Sequence, residues 1–247
     1  MERRIVVRIG EMPQCFGEVI CSDEIEVLRL AGQMHQAVIG VEAGETALPA
    51  GLAPYVVPGW EYVDEELAEL VFRRHRNLPW IIGRTKRLVI RELTADDARA
   101  IPGEELTKEE QIFCLKEGIE AYIRGQYRLR EYGIWALQER ESGALVGLAG
   151  VSPIDLPEAF APKQNVLELG YRIFLPYRRQ GFAREACEEI LAYAHEVLDT
   201  RLVAVIEEKN DASRRFAEGM GFSLIETFTQ TNTRSGQRRL LYAENCP

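Results

Sequence analysis

The 247-residue chain lacks most of the features that announce a metal site, a membrane span or a nucleic-acid surface. Its three histidines, His35, His75 and His195, are far apart and fall in no His-x-x-x-His or His-Glu-x-x-His pattern. That leaves no usual zinc spacing and no local signature for a His-activated nucleophile, so no metal is expected. The five cysteines, Cys15, Cys21, Cys114, Cys187 and Cys246, include no Cys-x-x-Cys pair, and the odd count points to reduced thiols in a cytoplasmic protein. No apolar run approaches the ~20 residues a membrane helix needs, so no membrane partner is expected. Met1-Glu2-Arg3-Arg4 leads only into a short apolar run, Ile5 to Val7, which does not read as a secretory leader. Positive charge is in the minority: 30 Lys and Arg against 39 Asp and Glu give a net charge of −9, which argues against nucleic acid as a partner. Internal repeats and low-complexity tracts are absent.

What is present is enough apolar material for a core, 46% hydrophobic against 28% charged, in a length that allows one large domain or two small ones. Residues 1–83 read as a small open α/β domain. A strand at 18–22 is followed by a helix to about Gly32, with Asp23 as its N-cap and Leu28 on its inner face. Residues 37–41 are a continuous apolar run, the mark of a strand covered on both faces. A loop at 44–51, a short strand at 55–57 stopped by Pro58-Gly59, and a helix at 64–77 complete the unit. Residues 83–86 read as the joint to a second domain, 84–247. The first segment carries 13 acidic and 7 basic residues, so most of the negative charge sits there.

In the second segment, residues 88–92 form a strand, and Thr94 caps a short helix ending before Pro102. Thr107 caps a long helix over 108–130 with Ile112, Leu115, Ile119 and Ile123 on its stripe. Strands at 133–138 and 144–152 are joined by Glu141-Ser142-Gly143, a hairpin signal. A Pro- and Ala-rich loop leads to a strand at 167–175, a turn, and a helix to about Leu198. A strand at 202–206, a helix at 212–220, and strands at 222–228 and 239–243 end the chain.

The chemistry concentrates at Arg178-Arg179-Gln180-Gly181-Phe182-Ala183, after a strand and opening a helix. A glycine and a small residue leave backbone N–H groups uncovered there, and the helix start adds its positive dipole end. Together they make a cradle for a diphosphate. An ordinary strand-to-helix turn with its arginines in solvent would carry the same six residues.

The chain resembles the GNAT N-acetyltransferases. Their cofactor motif, Arg/Gln-x-x-Gly-x-Gly/Ala, is matched by Arg178, Gly181 and Ala183, and about thirty residues on Asn210-Asp211-Ala212-Ser213 and Gly221-Phe222 match the family's second segment. Glu168-Leu169-Gly170-Tyr171 is similar to the preceding strand in the branch that acetylates ribosomal-protein N-termini, and 85–100 to that branch's opening strand and helix. The resemblance covers about residues 86–245. It implies an α/β fold with a mixed, twisted central sheet whose middle strands splay apart. It implies acetyl-CoA as co-substrate, a primary amine as acceptor (a protein N-terminus or a small-molecule amine), and direct attack on the thioester without an acyl-enzyme. The diphosphate falls to the backbone of Arg179, Gln180, Gly181, Phe182 and Ala183, the thioester oxygen to a backbone N–H near Ile173, and pantetheine and phosphate contacts to Asn210 and Ser213.

Strand alternation puts Glu168, Gly170 and Arg172 on one face and Leu169, Tyr171 and Ile173 on the other. The first face is polar in a central strand, which makes Glu168 the expected general base, acting through water. Glu168 and Arg172 are about 13 Å apart along an extended strand, too far for a mutual ion pair. The tyrosine that many relatives carry seven residues after the Asn, as acid for the leaving thiolate, is replaced by Ala217. That departure leaves open a catalytically weak acyl-CoA-binding regulator. His195 reads as surface, Cys187 and Trp135 as core, and Asp155 as a loop acid on the substrate approach. Residues 23–41 are similar to the late helix–strand portion of haloacid-dehalogenase-type phosphatases, but no Asp-x-Asp pair exists anywhere in the chain. The first domain is therefore expected to be non-catalytic, covering an edge or forming a homodimer contact.

Overall fold

Short apolar runs rich in Val and Ile, bounded by Gly, Pro and charged residues, favour strands over helices, and two separate sheets form from them. The computed structural model describes residues 4–9, 17–43, 47–154, 166–229 and 238–245. The chain divides into two compact units, Met1–Trp80 and Ile81–Pro247.

The first unit carries strands β1 (Arg4–Ile9), β2 (Gly17–Ser22), β3 (Ala37–Val41) and β4 (Tyr55–Val57), in the order β1-β2-β3-β4. β1 is antiparallel to β2, and the other pairs are parallel. β1 falls where the sequence shows only a three-residue apolar run. All five residues of β3 are buried because helices cover both faces. Helix α1 (Ile25–Gln33) brings Leu28 and Ala31 onto Ile20 and Val38. Helix α2 (Glu65–His75) brings Ala68, Val71 and Phe72 onto Val19, Cys21, Ala37 and Ile39. Asp64 caps α2 by accepting the Leu67 N–H at 2.8 Å. Asp23 does not cap α1: the chain enters through Glu24, whose N–H donates to Ser22 Oγ at 3.1 Å.

The second unit holds β5 (Ile81–Arg84), β6 (Leu88–Arg91), β7 (Ile134–Glu139), β8 (Leu145–Pro153), β9 (Val166–Ile173), β10 (Arg201–Glu207), β11 (Phe222–Thr229) and β12 (Arg238–Glu244). Their order is β11-β12-β10-β9-β8-β7-β6-β5. Every pair is antiparallel except β9–β10, so the sheet is mixed. Residues 83–86 are not a free joint, since Ile81–Arg84 is the edge strand paired to β6.

The single helix expected over 108–130 is broken. A 3-10 turn, Glu110–Cys114, is followed by α3 (Lys116–Tyr122), a π turn, Ile123–Tyr127, and the short α4 (Arg128–Arg130). Thr107 caps no α-helix, although it and Glu110 exchange side-chain to backbone bonds at the entry to this 3-10 turn. Leu115 then leaves the helical region, and a Cβ on Gly118 would sit 2.1 Å from the Ile112 carbonyl oxygen, so the two turns cross at a glycine. The π turn has a physical use. Residues five apart lie about 140° apart around an α-helix, and the wider turn brings the Tyr122 and Tyr127 hydroxyls to the same strand end. Tyr122 accepts the Ile134 N–H at 2.8 Å; Tyr127 donates to the Ile134 carbonyl and accepts the Leu93 N–H.

Two further helices, α5 (Phe182–Glu196) and α6 (Asp211–Gly219), follow β9 and β10. Trp135 and Cys187 are fully buried, and His195 is at the surface with Nε2 2.7 Å from Glu244. Cys21, Cys114 and Cys187 are free thiols. Cys15, Cys246, Asp155 and most of the Pro- and Ala-rich loop lie outside the described residues. Among the described residues no helix is long and apolar enough to cross a membrane.

This division sets a cutting point. A chain beginning at Leu78 keeps β5 whole and is expected to melt cooperatively. One beginning at Gly83 loses Ile81 and the buried Ile82, which should cost at least about 2 kcal/mol in urea unfolding.

Candidate active site

The site begins where two parallel strands stop pairing. β9 and β10 are in register only at Val166–Arg201, Leu167–Leu202 and Glu168–Val203. Beyond Glu168, β9 stays paired to β8 as far as Ile173, and β10 stays paired to β12 as far as Glu207. A gap therefore opens in the middle of the sheet. The Phe174 N–H donates to the Val146 carbonyl on β8 at 2.9 Å. Backbone groups alternate along a strand, so those of Tyr171 and Ile173 face the gap.

Glu168 sits at the apex of the gap. Burial pushes its carboxyl pKa above the ordinary range, while the Val205 N–H and the charge of Arg239 pull it part of the way back. Arg172, on the same face, pairs with Glu110 at 2.7 Å rather than with Glu168. On the opposite face the Tyr171 ring packs on Phe216 of α6 at 4.6 Å, and its hydroxyl meets that of Ser213. Burial raises the Tyr171 pKa, so it remains a protonated phenol at neutral pH.

The glycine turn lies at the open end of β9. Arg179 and Gly181 both take left-handed backbone angles, φ 60° and 85°. Gly181 is the N-cap of α5, and among the described residues no side chain caps that end. The first N–H groups of the helix are thus left for an incoming acceptor. Residues 178–181 are exposed, whereas Phe182 is buried. The Arg178 side chain is used locally: Nε donates to the Ile173 carbonyl at 2.8 Å, and Nη2 meets Glu105 at 2.5 Å. Glu105 also accepts the Leu175 N–H at 2.9 Å. Gln180 folds back onto the Pro176 carbonyl at 3.0 Å. Asn210 caps α6, its Oδ1 accepting the Ser213 N–H at 3.1 Å, which leaves the amide nitrogen available.

One support of this turn escapes any local sequence pattern. Glu185, in the first turn of α5, accepts from Thr85 Oγ1 at 2.6 Å, the Arg87 N–H at 2.6 Å and Arg87 Nε at 2.7 Å. Arg87 also donates to the Gln180 carbonyl at 2.8 Å and lies 4.4 Å above the Phe182 ring. The helix start is thereby fastened to the β5–β6 corner, about a hundred residues earlier in the chain. Burial alone would raise the Glu185 pKa, but its donors and the Arg87 charge outweigh it and hold the carboxyl low.

A cavity of about 530 Å³ opens at the far end of β9, lined by Glu131, Tyr132, Val166, Leu167 and Val197 among others. Neither Glu168 nor the glycine turn lines it. Among the described residues no group of three or more His, Cys, Asp or Glu is placed to hold a metal ion.

Residues 87–223 match the acetyltransferase (GNAT) domain family, more than half of the chain. The chain belongs to the GNAT acetyltransferases. Among its relatives, the uncharacterized N-acetyltransferase YoaA of Bacillus subtilis is 29% identical over 152 residues, which span 56% of this chain and 80% of YoaA. Two solved GNAT structures show the same fold. The ribosomal-protein-S5-alanine acetyltransferase of Vibrio fischeri has TM-score 0.53 at 14% identity, over 66% of this chain and 94% of that one. A spermidine N-acetyltransferase chimera from Vibrio cholerae has TM-score 0.51 at 18% identity, over 64% and 95%. These two names carry different acceptors, so the GNAT fold alone selects none.

The Glu185 fastening is testable by stability. Glu185→Gln should cost about 1–3 kcal/mol at pH 7 in urea unfolding. The folded pKa lies below the unfolded one. The carboxylate's contribution is therefore full above the unfolded value, about 4.3, and the difference between variant and wild type should shrink as pH falls through the folded value.

Proposed function

We propose that this GNAT domain moves an acetyl group from acetyl-CoA to a primary amine by direct attack, with no acyl group carried on the protein. The observation that carries the reading is the parting of β9 and β10 just upstream of an uncapped, glycine-opened helix start. The co-substrate supplies an activated acyl group; the rest falls to residues of this chain.

The backbone of Arg179, Gln180, Gly181, Phe182 and Ala183 would hold the diphosphate, with the α5 dipole adding to the attraction. Arg178 supports them by fixing the Ile173 carbonyl and Glu105. The Ile173 N–H, facing the gap, would donate to the acyl oxygen as negative charge gathers there. Asn210 offers its free amide nitrogen to the pantetheine, and Ser213 its hydroxyl to the phosphate side.

Amines arrive protonated, since alkylammonium groups have pKa near 10 and α-amino groups near 8. Glu168 would remove that proton through water, and its raised pKa makes it a stronger base than an exposed carboxylate. Position 217 is a buried alanine, so the usual phenol on α6 is missing. Tyr171 places a protonated hydroxyl beside Ser213 from the strand instead. The alternative reading, an acyl-CoA-binding regulator with little turnover, rests on that alanine. The first unit takes no part in the chemistry, and a cytoplasmic homodimer is the setting that accompanies the proposal.

Gly181→Glu places an anion where the diphosphate would lie, and calorimetry should show acetyl-CoA affinity reduced at least about tenfold; unchanged affinity would move the site elsewhere. Glu168→Gln should lower kcat about 10²-fold with little change in acetyl-CoA affinity. The wild-type rate should fall with acidity through a pKa above the ordinary glutamate value, because the raised carboxyl is lost as a base at higher pH than usual. Tyr171→Phe should lower kcat while leaving that acid limb in place. An amine-panel screen in which wild type binds acetyl-CoA yet transfers to no amine would favour the regulator.

A further inference from the structure

Glycine inside a central strand is costly, because it loses more chain entropy than other residues and contributes no side chain to packing. The second sheet keeps three such glycines, and two have a steric reason. A Cβ on Gly147 would stand 2.3 Å from the Arg172 carbonyl oxygen, and one on Gly150 would stand 2.0 Å from the Gly133 carbonyl oxygen. Gly170 has no such reason. It lies mid-strand in β9, its backbone is not left-handed, and among the described residues nothing lies within 4 Å of where its Cβ would be.

The surroundings of this empty position are specific. Gly170 pairs across the strands with Gly150, whose own Cβ position is taken up by the Gly133 carbonyl, so the free space lies over Gly170 itself. On the same face stand Glu168, paired with Ser152, and Arg172, paired with Leu148. The Arg172–Glu110 ion pair shows that this face looks toward the segment holding α3. The opposite face carries Tyr171 against Phe216 of α6. Gly170 is also partly exposed and lies beyond the last β9–β10 pair, Glu168–Val203. Among the described residues the strand is therefore left uncovered over Gly170, between Glu168 and the Arg172–Glu110 pair, which stand about 13 Å apart by strand spacing.

We propose that Gly170 is a specificity-determining residue. Its missing side chain leaves the space through which the stem of the acceptor amine lies while the nitrogen reaches the water on Glu168, and the slot admits an unbranched primary amine in preference to one branched at the carbon bearing nitrogen. The proposal rests on the acetyltransferase reading above. One strand position without a Cβ accommodates a methylene chain, whereas a substituent at the attacking end meets the strand and the Glu168 wall. Shape discrimination of this kind is worth roughly 10–200-fold per methylene-sized group.

The experiment compares the full-length wild type with Gly170→Ala and Gly170→Val. It uses three acceptors, hydroxylamine, n-butylamine and sec-butylamine, with acetyl-CoA affinity by calorimetry and melting temperature measured on the same preparations. Wild type is expected to use n-butylamine at least about tenfold better than sec-butylamine in kcat/KM. Gly170→Ala should lose part of the n-butylamine activity and Gly170→Val at least about tenfold of it. Both variants should keep hydroxylamine turnover and acetyl-CoA affinity near wild type. Their melting temperatures should be unchanged or higher, because a side chain is added to a strand at an empty position. A merely structural glycine would instead lower the melting temperature. Equal use of the two butylamines by wild type, no transfer to n-butylamine by a wild type that does turn over hydroxylamine, undiminished n-butylamine activity in Gly170→Val, or loss of acetyl-CoA affinity in a folded variant would each overturn the assignment. A wild type that binds no acetyl-CoA, or that binds it and transfers to none of the three acceptors, would instead strike the acetyltransferase reading itself.

Discussion

The second unit depends on one constraint: β9 and β10 run parallel but pair for only three residues. Two strands that start side by side and then separate leave backbone groups without partners, and buried backbone polar groups need partners. The protein answers each in a different way. Glu168 fills the apex beside the Val205 N–H, Arg178 takes the Ile173 carbonyl, and Glu105 takes the Leu175 N–H. What stays open, the inward edges at Tyr171 and Ile173, is what a ligand with amide groups of its own can use.

A second consequence concerns rigidity. An uncapped helix start with two left-handed residues before it is a poor structure by itself, since a non-glycine residue at positive φ costs energy. It is held by the distant Thr85–Arg87 corner through Glu185, by the Arg87 bond to the Gln180 carbonyl, and by Phe182 sunk into the core. The N–H groups of the helix start are held in place by these contacts, which is the condition for backbone donors to act at full strength. The same economy holds at the β7 end, where Tyr122 and Tyr127 join the helical segment to Ile134.

Much of this was legible in the order of residues. The two-sided burial of β3 follows from five consecutive apolar residues, and the β7–β8 hairpin from Ser142-Gly143, where Gly143 takes φ 72°. The glycine turn and the helix after it followed from Gly181 and the apolar stripe through Ala186, Cys187 and Ile190, all buried. The misreadings have particular causes. Periodicity alone made one helix of residues 108–130, because it cannot sense Leu115 in an extended conformation or the Ile112 carbonyl pressing on Gly118. The joint at 83–86 looked like a linker because four residues are too few to show a period, yet Gly83 and Arg84 pair with β6.

The sequence by itself determined the family, the strand and helix that frame the glycine turn, and the alternation that puts Glu168, Gly170 and Arg172 on one side of a strand. These are local properties, written in spacings of two to six residues. Tertiary structure decided what those residues meet. It gave Arg172 to Glu110, Arg178 to Ile173 and Glu105, Ser213 to Tyr171, and Glu185 to a corner about a hundred residues away. It also left Gly170 facing open space while Gly147 and Gly150 are hemmed in by carbonyls. No local pattern contains such partners, because they come together only when strand order and the parting of β9 from β10 bring distant segments within hydrogen-bond reach.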